Sequence, residues 1–249
     1  MTSDWAFMTH EEAFMKSRLL ENFSKQERDS ILAAASERRF FANSVVTNQG
    51  HSADHMFMLR SGRARYFFVT EDGRKINLLW LVPGATFGAA ALLQEPAVYL
   101  VSTETIRDTV LLAWDRAALR HLTLQYPRLI ENALLIAYDY LAWYRDTHIA
   151  LICHDARQRL AYVLATLART VGQQVPSGIE LDVTNEDLAG SANLTLFTVS
   201  RFLNEWQRKG SLVKRRGKVL LLDIDEFSAT WKPSLQSGGQ DMRSQSSVV

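Results

Sequence analysis

A single cysteine, Cys153, stands in 249 residues. One thiol excludes an intrachain disulfide framework, a zinc ribbon and a cysteine-ligated iron–sulfur cluster. Charge of one sign is missing too: 28 Lys+Arg against 27 Asp+Glu leave a formal net charge of +1. A nucleic-acid partner must therefore show as a local excess of cations. Long apolar runs are absent, none reaching the roughly 18 residues of a membrane-spanning helix. Residues 1–16 alternate acidic and aromatic side chains and hold no signal-peptide apolar core. The expectation from these absences is a cytoplasmic protein with no membrane partner. What remains is ordinary globular composition, 47% hydrophobic and 22% charged, with chain enough for one large or two modest domains.

Patterning divides the chain. Ser24-Lys25-Gln26-Glu27 is a capping box ahead of Ile31, Leu32 and Ala35, the start of a short helix. From Phe40 onward Gly50, Gly62, Gly73 and Gly84 recur every eleven or twelve residues. Strand-like runs lie between and after them, over 56–59, 64–70, 75–81, 98–106 and 110–114. Asp72-Gly73 marks a hairpin turn. Many short strands at this spacing predict an all-β barrel or jelly roll. A short helical stretch over 116–124 leads to Tyr126-Pro127, and Pro127 suits the first position of a new helix. No glycine or second proline follows until after Ile149, and a helical apolar stripe runs from Leu129 to Tyr144. Tyr138, Tyr140, Trp143 and Ile136 widen it beyond one face, so more than one face must be covered. One face can lie on the barrel and another on a second copy; a wholly intradomain core helix is the alternative. Asp155 caps a further helix over 156–170, residues 172–178 read as a turn, and a disordered tail is expected over 233–249.

Residues 183–223 carry the functional pattern. Thr184-Asn185-Glu186-Asp187 starts a helix, and Asn193 suits a left-handed turn. A second helix begins near Thr195 and ends before Gly210, which makes a helix-turn-helix. Val199, Phe202, Leu203 and Trp206 form its apolar face, while Phe197, Ser200, Arg201 and Asn204 share another side. Outward residues near the start of such a helix reach base edges in the major groove. Arg201 is then the guanine reader, Asn204 an adenine or phosphate contact and Phe197 a thymine-methyl contact or a packing residue. Thr195 and Thr198, at the helix start, complete the DNA-facing set on this helix. Lys214-Arg215-Arg216-Gly217-Lys218 between two apolar runs predicts a basic hairpin, or wing. From Arg201 to Lys218 seven Lys/Arg stand against one acidic residue, Glu205, the local excess that phosphate contact requires.

Taken together, these features resemble the cyclic-AMP-receptor/FNR superfamily of bacterial transcription regulators. The likeness spans residues 24–227 and rests on the glycine-punctuated roll, Pro83-Gly84 before Phe87-Gly88, the helix after Tyr126-Pro127, and Thr198-Val199-Ser200-Arg201. It implies an α+β chain: a cyclic-nucleotide-binding-like β-roll over 24–125 behind an extension over 1–23, a dimerisation helix over 126–152, and a winged helix-turn-helix over 153–232. It implies a homodimer with its seam at Ile130, Leu134, Ala137 and Leu141, palindromic double-stranded DNA and RNA polymerase as partners, and regulation through the roll. Arg201 matches the family's guanine-reading arginine and Ser200 the serine of the FNR-like branch. Phe197 stands where the family commonly has a glutamate.

The cyclic-nucleotide site departs further. The ribose-binding glutamate that follows the glycine matching Gly88 is here Ala89. The phosphate-binding arginine and adjacent serine fall at Tyr99 and Leu100, and Arg107 matches only after an eight-residue shift. A desolvated phosphate needs a fixed cation or several N–H donors, so no ordinary cyclic-AMP site is expected. The candidate effector pocket is Trp80, Phe87, Gly88, Ala89, Tyr99, Leu100, Tyr140 and Tyr144, with residues 90–93 and Trp143 beside it. These suit an apolar or aromatic small molecule. Three alternatives stay open: the same residues simply fill the barrel of an effector-independent regulator; haem binds through His51, His55, His148 or His154; or the roll is a cupin-type metalloenzyme. The last lacks the closely spaced second histidine and following glutamate of such sites. No catalytic and no metal-binding residues are expected, and no enzyme activity.

Overall fold

A computed structural model describes residues 17–228. The expected tail over 233–249 and most of the expected extension over 1–23 lie outside them. Helix α1 (Lys25–Ala33) begins as its capping box dictates: the Glu27 amide donates to the Ser24 hydroxyl, and the Ser24 amide donates to the Glu27 carboxylate at 2.7 Å.

Eight strands follow: β1 (Ser36–Phe40), β2 (Val45–Thr47), β3 (His55–Ser61), β4 (Ala64–Val69), β5 (Lys75–Leu81), β6 (Thr86–Phe87), β7 (Ser102–Thr105) and β8 (Thr109–Asp115). They build two four-stranded antiparallel sheets ordered β1-β8-β3-β6 and β2-β7-β4-β5. Strands β3 and β8 are buried on both faces, which is why their apolar runs do not alternate with polar residues. Phe57, Leu59, Leu111 and Ala113 face the interior between the sheets. Met56, Met58, Leu112 and Trp114 face the helices instead, and the Trp114 indole donates to the Ile31 carbonyl at 2.8 Å. The expected strand over 98–106 is shorter than its apolar run suggests. Val98 makes only an isolated bridge to Ser52, and pairing resumes at Ser102. Between them Leu100 is 81% exposed, so this stretch belongs to a surface loop at the mouth of a cavity.

Helix α2 (Arg116–Gln125), capped by Asp115, is followed by α3 (Arg128–Cys153), 26 residues long and so about 39 Å. Pro127 takes the cap position, with φ already helical at −56°. The helix overruns the expected end near Ile149, because residues 150–153 contain no breaker. It stops where His154 turns extended and Asp155 caps α4 (Ala156–Thr170) in a capping box with Gln158. Leu129, Asn132, Ala133 and Ile136 form the packed face of α3, and the Asn132 amide holds the Leu19 and Glu21 carbonyls at 2.9 and 3.0 Å.

The remaining chain adds β9 (Gln173–Val175), β10 (Gly178–Leu181), α5 (Asn185–Ala192), α6 (Leu196–Lys209), β11 (Leu212–Arg215), β12 (Lys218–Leu221) and α7 (Ile224–Ser228). Its sheet runs β11-β12-β10-β9. Residues 172–178 are therefore not only a turn: 173–175 form a polar edge strand, invisible to a search for apolar alternation. Trp206 and Phe227 pack edge to face beneath α6.

Candidate nucleic-acid interface and effector cavity

The helix-turn-helix is set by three local signals. Thr184 and Asp187 cap α5 reciprocally, Asn193 takes a left-handed conformation at φ 50°, and the Thr195 hydroxyl accepts the Thr198 amide at the start of α6. Val199, Phe202, Leu203 and Trp206 are buried, which turns the opposite side of α6 outward. Phe197 is 76% exposed, and Arg201 and Asn204 are exposed beside a half-buried Ser200. Thr195 and Thr198 share a hydroxyl contact at 2.9 Å, so their first task is to cap the helix. The Arg201 guanidinium lies over the Phe202 ring, 4.8 Å from its centre.

Strands β11 and β12 are the expected wing, turning at Arg216-Gly217 with Gly217 at φ 70°. Lys214 docks it on α6: its ammonium donates to the Asn204 amide oxygen at 2.8 Å and its backbone amide to Gln207. Arg216 is exposed at the tip. The local charge count needs correcting in one respect. Glu180 on β10 pairs with Lys218 at 2.5 Å and with Arg215 at 3.7 Å, an acidic partner that only the sheet brings to the wing. Arg157 on α4 similarly holds Glu205, whose carboxyl this bond keeps below its ordinary pKa.

Between the roll and α3 lies a cavity of about 390 Å³, a size suited to a small ligand. Phe87, Gly88, Ala89, Tyr99, Leu100, Tyr140 and Tyr144 from the expected set line it, together with Trp143. Gly88 is required there: its φ is +79°, and a Cβ would stand 2.6 Å from the His55 carbonyl oxygen. Among the described residues, no charged side chain lines it. The Tyr99 hydroxyl is already occupied, donating to the His55 carbonyl and accepting its amide. Tyr66, Thr47 and Thr103 also line the cavity and were not anticipated, because their strands bring them in from the opposite sheet, and Thr86 lines it from β6 beside Phe87. Burial pushes the Tyr140 hydroxyl up to about 12 and raises the Tyr66 hydroxyl well above its ordinary value.

Three expectations for the roll need revision or relocation. Trp80 does not line this cavity. It lies in the core shared with α4, α5 and α6, because the last turn of the β-sheet pleat points it at the C-terminal domain, with Arg63 and Arg65 at 5.7 and 6.0 Å from its ring. Arg107 also faces that domain, in an ion pair with Asp182. None of His51, His55, His148 and His154 lines the cavity; His55 instead contacts Arg38 at 2.7 Å. His148 lines a second space of about 360 Å³ between β5, α3 and the α5–α6 turn. Ile130, Leu134, Ala137 and Leu141 are exposed along one side of α3, Leu134 by 70% and Leu141 by 66%. Ala137 and Leu141 also form part of the cavity wall.

The junction of roll and helix-turn-helix escaped sequence reasoning. Arg65 on β4 bonds Glu104 at 2.6 Å and also pairs with Asp187, the residue that caps α5. Arg63 donates to the Asp182 and Val171 carbonyls at 3.1 and 3.2 Å. Burial, then the nearby Arg107 cation, lowers Arg63 to about 10, so it stays charged at neutral pH.

Two family models match this architecture. Residues 37–126 match the cyclic nucleotide-binding domain, and residues 158–230 match the Crp-like helix-turn-helix domain. The transcriptional regulator LdrP of Thermus thermophilus is 27% identical over 188 residues, 75% of this chain and 92% of its own length. The CRP-like cAMP-activated global transcriptional regulator of Mycobacterium tuberculosis is 26% identical over 184 residues, covering 73% of this chain and 81% of that protein. Among solved structures, the c-di-GMP-responsive global regulator CLP of Xanthomonas campestris superposes with a TM-score of 0.71 at 21% identity, over 80% of this chain and 100% of that one. Fold, domain order and relatives agree: the chain belongs to the CRP/FNR family of transcription regulators.

Proposed function

We propose that the chain acts as a homodimer that reads palindromic DNA with α6 and the wing, under the control of an effector other than cyclic AMP. One observation carries the reading of the effector: among the described residues, the cavity beneath α3 is lined without a single charged side chain. A cyclic nucleotide would bring a phosphate into it with no fixed cation and with the Trp143 indole as a lone spare N–H among the lining side chains, a cost of several kcal/mol or more. The dimer is supported by the exposed side of α3, where Ile130, Leu134, Ala137 and Leu141 are spaced as a helix–helix seam requires. Two copies joined there would present two recognition helices about 34 Å apart, one turn of DNA. Arg201 is the base reader, Phe197 a thymine-methyl contact and Arg216 a phosphate contact. Because Ala137 and Leu141 belong to both the seam and the cavity wall, a bound effector would act directly on the way the two copies meet.

Calorimetry with cyclic AMP, alongside selection of bound sites from random DNA, tests the reading. The expected outcome is a two-fold symmetric site and no saturable heat at micromolar nucleotide. A micromolar isotherm or an asymmetric single half-site would overturn it.

A further inference from the structure

Thr86 is 3% exposed and lines the cavity, yet its hydroxyl has no hydrogen-bond partner among the described residues. A buried hydroxyl left unpaired is costly, so it marks the point where a ligand atom is wanted. Its surroundings decide which atom. The neighbouring Thr86 carbonyl already accepts the Tyr140 hydroxyl at 2.8 Å. That carbonyl and that hydroxyl are therefore taken. Thr47 and Thr103, across the cavity, bond each other at 2.9 Å. One turn along α3 from Tyr140, Trp143 also lines the cavity, and its indole N–H is buried without a partner among the described residues. An indole nitrogen only donates, and a threonine hydroxyl readily donates. The two unmet groups of this wall therefore ask for an acceptor. No charged side chain among the described lining residues is there to compensate an anionic one.

We infer that the cavity takes an uncharged, mostly apolar small molecule whose single polar feature is a carbonyl-type oxygen, received by the Thr86 hydroxyl with the Trp143 indole beside it. The inference rests on the reading of this cavity as the effector site, and it names the chemical class of that effector. An apolar body of ring or chain carbon would fill the space bounded by Phe87, Ala89, Ile136 and Leu141, where its desolvation supplies most of the affinity. The oxygen would fix its orientation.

Three probes of one shape test this on the full chain by equilibrium dialysis: acetylnaphthalene, ethylnaphthalene and naphthoate, substituted at the same ring position. Acetylnaphthalene is expected to bind saturably and about tenfold tighter than ethylnaphthalene, the worth of one hydrogen bond to a group otherwise left unmet. Naphthoate is expected to bind at least about a hundredfold more weakly than the ketone, since its charge would be buried without a partner. Thr86→Val combined with Trp143→Phe should reduce the ketone's advantage to about twofold or less, whereas Thr86→Ser should keep it. Naphthoate binding as well as the ketone, no saturable binding of either neutral probe, or an undiminished advantage in the double variant would overturn the inference. Operator affinity measured with and without each probe separates this from the broader reading. Selective ketone binding that leaves operator affinity unchanged supports the ligand class and removes the effector role. A response to naphthoate and not to the ketone keeps the effector role and removes the ligand class.

Discussion

Arginines serve two opposite ends in this chain. At the junction with the roll, Arg63 and Arg65 are largely buried, and their N–H groups are bound to carboxylates and carbonyls of the protein itself. On the outer side of α6 and at the wing tip, Arg201 and Arg216 face solvent. The difference is one of geometry, since all four side chains carry the same fork of donors. Cations buried against Glu104, Asp187 and the Asp182 carbonyl are out of reach of a phosphate, so they add stability and orientation. Exposed ones contribute little to folding and are available to DNA. Net charge near zero hides this division, and so does a count along the chain.

Removing the second copy tests the comparison most severely. Leu134→Glu with Leu141→Glu buries unpaired charge at the seam and should leave a 28.2 kDa monomer in sedimentation. Operator affinity should then fall to the non-specific level, about a thousandfold or more. The junction arginines are untouched, so the unfolding midpoint of the monomer should still report an intact junction. A surviving dimer would place the seam elsewhere.

Next in size is Arg201→Ala, expected to cost about 1–3 kcal/mol at the cognate site and to relax one base pair per half-site. Stability in urea should hardly change. Equal losses on cognate and random DNA would remove its role as a base reader.

Arg65→Ala should show the reverse pattern. It strips a partner from Glu104, whose side chain is 9% exposed, and from the cap of α5, with an expected loss of about 2 kcal/mol in folding stability. Phosphate contacts are unaffected, so the salt slope of DNA binding should stay constant. A change in that slope would mean that the junction and the DNA face are not separate.

Arg216→Ala is the smallest change. The dependence of log affinity on log salt should flatten by about one unit per half-site, with stability shifted by less than about 0.5 kcal/mol. Arg215→Ala should flatten it less, because Glu180 already neutralises part of that charge.

Much of this organisation was legible along the chain, because the signals involved are local. A capping box needs four consecutive residues, and Ser24, Asp155 and Thr184 all cap as read. The helical spacing of Val199, Phe202, Leu203 and Trp206 marks the buried side of α6, which leaves the other side outward. The apolar lining of the cavity could also be approached, since Phe87, Ala89 and the aromatic residues of α3 sit in contiguous segments.

What escaped depends on pairs far apart in sequence. Trp80 has the apolar character of a cavity residue, but its position on β5 directs it into the core of the other domain. Glu180 meets the wing only because β10 pairs with β12, and Arg65 meets Asp187 across 122 positions. The unmet Thr86 hydroxyl is of the same kind, since an absent partner is a property of surroundings rather than of a residue. Local hydrogen bonding and periodicity act over a few residues, so the sequence alone determined the elements, their order and the outward face of α6. Tertiary contacts decided which charges cancel and which polar groups of the cavity wall are left without a partner among the described residues, because those depend on what the folded chain brings within about 3 Å.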